Sequence, residues 1–218
     1  MNWKLLRGFA WIDTRAQFVD KLPKNGSLLD LGSSDGGTLT HINELRPDLH
    51  LASSDIAGSP ENYPAGTDFR QANFDTDLLP WPDRTFDGVT CMHVVEHLKD
   101  PARIIREAAR VLKPGGRLYV ETPHPRSVDI PSAKGRGTEH VTVNFYDDKT
   151  HIRPVPHDEL EEAFASAGFQ AIQGGTSRNL LIAAAYPLLL AAQPRTRARY
   201  VAQLHFTGWS IYTQGMRK

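Results

Sequence analysis

Along the first twenty positions, Trp3, Leu6, Phe9, Ala10, Ile12 and Phe18 recur at roughly helical spacing. This predicts one or two short helices in residues 1–22, ended by Pro23 and Gly26. A different pattern follows. Ser27–Leu31 is a short apolar run bounded by glycines, the signature of a strand buried on both faces of a parallel sheet. A Gly/Ser turn (residues 32–37) opens a helix over 38–45 that Pro47 stops. The rhythm then repeats. Strands are predicted at 49–54, 68–72, 86–92 and 117–121, and Pro101 starts a helix whose apolar face is Ile104, Ile105, Ala108, Val111 and Leu112. Strands alternating with helices of this length predict a mostly parallel α/β sheet covered on both sides.

After Thr122 the period is lost. Residues 123–157 are rich in Pro, Gly, His and Asp, and a loop this long inside a compact domain is usually functional or disordered. Regularity returns with a helix over 158–167 and a strand over 169–172. Residues 178–204 then read as one or two apolar-faced helices broken near Pro187 and Pro194, and a last strand covers 208–213. The leucines of that helical segment are expected to pack into the core. A substrate lid, a dimer face or a contact with a lipid-linked acceptor are the other readings.

Composition narrows the classes. The 218 residues suit one domain, and the 25 basic residues balance the 25 acidic ones, so no net field favours nucleic acid or an anionic membrane. The single cysteine, Cys91, excludes an intramolecular disulfide and reads as a small buried hydrophobe. The first twenty residues lack a signal peptide's continuous apolar stretch, and the apolar run at 180–192 is too short to span a bilayer. A cytoplasmic location is the simplest expectation.

The turn Asp30-Leu31-Gly32-Ser33-Ser34-Asp35-Gly36-Gly37 comes off a strand and opens a helix. Small residues there let the backbone approach a cofactor, and a helix N-terminus offers free N–H groups. Asp55, roughly 20 residues on, is placed to accept both hydroxyls of a ribose. Any nucleotide cofactor would fit that pair, NAD included.

Further segments are more specific. Residues 29–37 resemble the first motif of class I S-adenosylmethionine (SAM)-dependent methyltransferases, and Asp55-Ile56 is similar to their second-strand acid. Leu79-Pro80-Trp81-Pro82, followed by Phe86-Asp87-Gly88-Val89, resembles the approach to their fourth strand. His93 through Pro101, with Glu96-His97-Leu98, resembles the segment after it, and Leu112-Lys113-Pro114-Gly115-Gly116 resembles the turn before the fifth.

The resemblance implies a doubly wound, Rossmann-like, seven-stranded, mostly parallel sheet with helices on both faces and a helical insertion before the last strand. It implies one domain: N-terminal helices (1–22), a SAM-binding core (26–122), a substrate loop (123–157) and the insertion (178–204). It also implies SAM as cofactor. Asp30, Gly32, Ser33, Ser34 and Gly36 would form the methionine and ribose loop, and Asp55 would hold the ribose hydroxyls. Ile56 would pack on adenine with Asn73 and Phe74 opposite (Asp75, which fits the spacing to Pro80, is the other candidate for the third-strand acid), and Met92 and His93 would lie beside the methionine. The Pro-Gly-Gly turn and the Leu-Pro-Trp-Pro approach disfavour a dehydrogenase.

One departure is Ser34, where the family has glycine; a left-handed backbone there would cost of order 1 kcal/mol. The irregular loop supplies candidate bases and substrate contacts: His140, Tyr146, Asp147, Asp148, His151, Arg153 and His157. Among these, His151 and Asp147 are assigned the catalytic role. Residues 144–154 resemble a segment of methyltransferases acting on bacterial surface glycans and related small molecules. Glu96 and His97 are expected to be structural. No compact metal-ligand spacing occurs, so no metal is expected.

The function expected is methylation of a small-molecule acceptor, on oxygen, with a saccharide or lipid-linked glycan as a candidate. The alternative is a methyltransferase-fold binding or regulatory protein without turnover. A homodimer is left open, and nucleic acid is not expected as a partner.

Overall fold

The computed structural model describes residues 3–132, 142–192 and 196–218. Two 3-10 turns, Trp3–Leu6 and Ala10–Ile12, precede α1 (Thr14–Asp20). Then come β1 (Ser27–Leu31), α2 (Gly37–Leu45), β2 (His50–Asp55), β3 (Asp68–Gln71), β4 (Phe86–Met92), α3 (Pro101–Val111) and β5 (Leu112–Pro123). The chain continues through α4 (His157–Ser166), β6 (Phe169–Ser177), α5 (Leu180–Ala192), α6 (Arg197–Thr207) and β7 (Ser210–Arg217). The seven strands lie in the order β3-β2-β1-β4-β5-β7-β6. The pairs from β3 to β5 are parallel, and β7 is antiparallel to both β5 and β6.

Strand periodicity sorts the core into two layers. On β1, Leu29 and Leu31 join one cluster with Ile104, Ile105 and Leu160 of α3 and α4, while Leu28 points to the other with Leu39 and Ile42 of α2. On β5, Leu118 and Val120 face the first layer and Tyr119 the second. Successive side chains on a strand alternate faces, so each central strand feeds both cores. The strand order reverses between the parallel neighbours β1 and β4, from which later strands are added outward to opposite sides of the sheet. In such sheets the ligand crevice opens beyond the carboxyl ends of the strands at that reversal.

Several elements differ from expectation: β6 and β7 run on to Ser177 and Arg217, past the strands expected at 169–172 and 208–213. The fifth strand begins at Leu112 rather than 117, because a register shift between Phe86 and Gly88 absorbs the Pro-Gly-Gly turn into the ladder. The N-terminal segment forms two 3-10 turns before its only α-helix, whose start is capped by Asp13 accepting from the amides of Arg15 and Ala16. The insertion is two helices, but α5 runs through Pro187 without breaking. A proline removes one amide donor, and residues 188–192 resume the helix beyond it. Nor is α5 a core element. Leu180, Leu181, Leu188 and Leu190 are exposed, and Ala183 is its buried position.

Candidate functional site

The loop after β1 is shaped by backbone conformation. Gly32 and Gly36 have φ of 80° and 84°, and Ser34, between them, is also left-handed at 45°. A Cβ on Gly32 would sit 2.2 Å from the Val94 side chain, and one on Gly36 would sit 2.5 Å from the Tyr63 ring. Both glycines are therefore required by close packing as well as by φ. Ser34 takes the conformation that makes a non-glycine residue costly. Its amide donates to Asp55 Oδ2 (2.9 Å), while Asp55 Oδ1 accepts from the Ala57 amide (3.0 Å).

At the strand ends a cleft of about 460 Å³ is lined by Gly32, Ser34, Asp55, Ile56, Asn73, Phe74, Asp75, His93, Val94, His97, Leu98 and Thr150. Ile56 is 57% exposed at its edge, apolar surface with no protein neighbour covering it. Below the loop, Asp30 is buried. Its Oδ1 accepts from the Thr90 hydroxyl (2.6 Å), and its Oδ2 has no hydrogen-bond partner. Burial lifts the Asp30 pKa to about 7 despite the Thr90 bond. An orphaned acceptor of this kind is costly unless a donor or cation arrives.

A second cavity of about 400 Å³ adjoins the first. It is lined by His93, His97, Thr142, Asp148, His151, Arg197, Val201, Leu204 and Trp209, and it shares His93 and His97 with the cleft. His93 is held in a left-handed conformation (φ 56°), with Nδ1 3.2 Å from Glu96 Oε1 and Nε2 3.1 Å from Glu121 Oε1. Burial disfavours its charge, but the bonds and charges of Glu121 and Glu96 outweigh this and raise its pKa to about 9. At neutral pH it is an imidazolium with both N–H groups spent on carboxylates, so it has no lone pair to accept a proton. Behind it Arg15 forms an ion pair with Glu121, and Tyr119 and Ser177 donate to the same carboxylate (2.9 and 2.6 Å). Burial opposes ionisation of Glu121, yet Arg15 and His93 hold it well below the usual carboxylate range.

His97 and His151 are different. The Thr150 hydroxyl donates to Asp148 Oδ1 (2.6 Å) and so must accept from His97 Nδ1 (2.9 Å). The Phe145 carbonyl accepts from His151 Nδ1 (2.6 Å). Each neutral ring therefore carries its proton on Nδ1 and a lone pair on Nε2. The two rings lie 4.7 Å apart. Burial works against the Asp148 carboxylate, but hydrogen bonds from Thr150 hold it below the usual range. Ligand atoms of Glu96, His97 and His151 also lie within 4.8 Å of one another, a set that could take a metal ion.

The structure brings Gly32, Ser34, Asp55, Ile56, Asn73, Phe74 and His93 to the cleft. Other assigned residues lie elsewhere. Ser33 is buried, its hydroxyl bonded to the Asp30 carbonyl, and Gly36 is the N-cap of α2 against Tyr63. Met92 packs against the second core layer. Asp147 has no free reach: its carboxylate accepts from Ser132 (2.5 Å) and from the amides of Val143 and Asn144 (3.2 and 2.9 Å), a capping box. His140 falls outside the described residues. Asp75, weighed against Asn73 for the third-strand position, lines the cleft beside it; sequence reasoning missed Val94, Leu98 and Thr150, and placed His97 among structural residues, although it lines both cavities.

A family model described as a methyltransferase domain matches residues 5–173. The chain belongs to the class I SAM-dependent methyltransferases. A ubiquinone biosynthesis O-methyltransferase of Marinobacter nauticus is 33% identical to this methyltransferase over 177 residues, covering 73% of the chain and 68% of the relative. A Mycobacterium tuberculosis relative is 41% identical over 91 residues, covering 42% of this chain, and the chain spans only 29% of that relative's length. Among solved structures, a SAM-dependent methyltransferase from Mesorhizobium loti superposes with a TM-score of 0.65 at 19% identity, covering 93% of this chain and 97% of that one. That likeness speaks to the fold.

SAM is the cofactor of this family, and the cleft fits it. Ile56 and Phe74 offer apolar walls for a purine and Asp55 a carboxylate for ribose hydroxyls, while the unpartnered Asp30 oxygen, buried beneath the loop and outside the cleft's lining, would suit an ammonium group brought against it.

Proposed function

We propose that the methyltransferase transfers a methyl group from SAM to a hydroxyl oxygen of a small-molecule acceptor held in the 400 Å³ cavity. The observation that carries this is the meeting of the two cavities at His93 and His97, with His151 in the wall of the second and the Nδ1 of both His97 and His151 already hydrogen-bonded. Bound SAM would supply an electrophilic methyl group on a sulfonium. The chain's task is then alignment and proton removal. With the cofactor in the cleft, His97 and His151 would hold the acceptor hydroxyl at the junction and take its proton at Nε2. His93 is excluded as the base by its protonation. Asp147 is excluded by its cap. Trp209 and the polar lining of Asp148, Arg197 and Thr142 favour an acceptor that is both hydroxylated and ring-shaped, with a saccharide as the leading candidate. The Marinobacter relative is named for O-methylation, which supports oxygen as the acceptor atom.

The test begins with thermal shifts for SAM, S-adenosylhomocysteine and NAD. Ligand at about 100 times Kd should stabilise the fold by roughly 2.7 kcal/mol, a rise of roughly 5–10 °C, with NAD giving none. Methyl transfer to a panel of hydroxylated saccharides and lipid-linked glycans then follows for wild type, His97→Ala and His151→Ala. A variant that removes the base should lose about 10²-fold or more in kcat with SAM affinity preserved. No turnover on any acceptor despite SAM binding would favour a binding protein of methyltransferase fold.

A further inference from the structure

The helix α5 reads Leu-Leu-Ile-Ala-Ala-Ala-Tyr-Pro-Leu-Leu-Leu-Ala-Ala, thirteen residues without a charge. A helix that packs on one side needs only an apolar stripe, whereas this one is apolar all round. Its outer leucines are bare: Leu181 is 60% and Leu188 74% exposed. A second bare apolar group comes from the other end of the chain, where Leu5, Phe9 and Trp11 are exposed on the two 3-10 turns. The fold joins these segments. Asp13 bridges to Asn179, the Asn179 amide side chain donates to Asp13 Oδ2 (2.9 Å), and the Thr14 amide donates to the Arg178 carbonyl (3.2 Å). The turn carrying Trp11 thus ends, and the helix carrying Leu181 begins, at one bridge.

Charge says what covers this face. The chain has 25 basic and 25 acidic residues, yet residues 177–212, which carry α5 and α6, hold Arg178, Arg195, Arg197 and Arg199 with no Asp or Glu. Residues 1–12 hold Lys4 and Arg7, also with no acid. A neutral protein has thus removed every carboxylate from the two segments that display its apolar side chains. We propose that this face docks on an anionic lipid surface, with α5 lying in the interface plane. Leucine and aromatic side chains would enter the acyl boundary and the arginines and lysines would meet lipid phosphates. At about 1.5 Å per residue α5 is roughly 20 Å long, short of a hydrocarbon core of about 30 Å, and no helix among the described residues is long and apolar enough to cross a membrane. A second copy fits this face less well. A two-fold interface sets the same patch against itself and would bring its cations against their own copies. The wall of the acceptor cavity is built on the neighbouring helix: α6 gives Val201 and Leu204 to it and Phe206 to the exposed side.

The experiment is flotation of the full chain with vesicles of phosphatidylcholine alone and of phosphatidylcholine with one-third phosphatidylglycerol, at low and high salt. Leu181→Asp/Leu188→Asp is run alongside. Both positions are exposed, so the double variant should keep its SAM-induced thermal shift. The wild type should float with anionic vesicles at least about tenfold more than with neutral ones, less so at high salt. The double variant should lose about tenfold or more. No binding to anionic vesicles, or equal binding to both compositions, overturns the proposal. A concentration-dependent dimer that the double variant abolishes, without vesicle binding, would assign the face to a second copy instead.

Discussion

Glu121 is the carboxylate on which the site's buried charges converge, and replacing it with glutamine tests that arrangement. It is 0% exposed on β5 and accepts hydrogen bonds from Arg15 (Nε at 2.8 Å, with a second contact from the same guanidinium), His93, Tyr119 and Ser177. Glu121→Gln keeps the shape but replaces an accepting oxygen with a donating amide and leaves Arg15 and His93 short of one negative charge. Removing one partner of a buried pair typically costs about 3–5 kcal/mol. For a chain of this size, about 2–4 °C per kcal/mol puts the loss in Tm at roughly 6–20 °C.

The pH dependence has a definite sign. The folded pKa of His93, about 9, lies above its unfolded value of about 6.5. The stability that its charge contributes is therefore fully present below about 6.5 and is lost as pH rises through 9. In Glu121→Gln part of that contribution is already missing, so the gap between wild type and variant should shrink from pH 7 to pH 10. Urea unfolding of both proteins across that range, with the His93 titration followed by NMR, measures it. A difference below about 1 kcal/mol at pH 7, or a gap that does not change with pH, would refute the reasoning.

Two further outcomes follow from the site. Ser34→Gly relieves a left-handed serine and should stabilise the chain by about 0.5–1 kcal/mol net of glycine's extra chain entropy, with SAM affinity unchanged or tighter. Destabilisation in urea melts would contradict this. If His97 and His151 act as bases, protein treated with a chelator keeps its turnover. Loss of turnover restored by added zinc or manganese would instead make Glu96, His97 and His151 metal ligands.

The sheet, its cofactor loop and the acid on β2 were legible in the sequence because they are local. An apolar strand followed by glycines at positive φ, and a carboxylate at the next strand's end, are each set by neighbours a few residues apart. The same locality exposed Ser34 as a strained position before its φ of 45° was seen. The acceptor side was not legible. His97 and His151 are 54 positions apart, and what makes them bases is which ring nitrogen each has given away, to Thr150 and to the Phe145 carbonyl. His93 looks from its sequence like an ordinary titrating histidine, and only Glu96 and Glu121, one near and one distant, make it a fixed cation. Asp147 shows the converse: a carboxylate in a loop of candidate bases is consumed by a cap that closes over Ser132 and Asn144. For α5, the residue pattern carries hydrophobicity but not its destination. A run of leucines packs inward or lies bare according to whether the fold brings another element to cover it, and here the tertiary structure brings the bare Trp11 turn only to the bridge at which the helix begins.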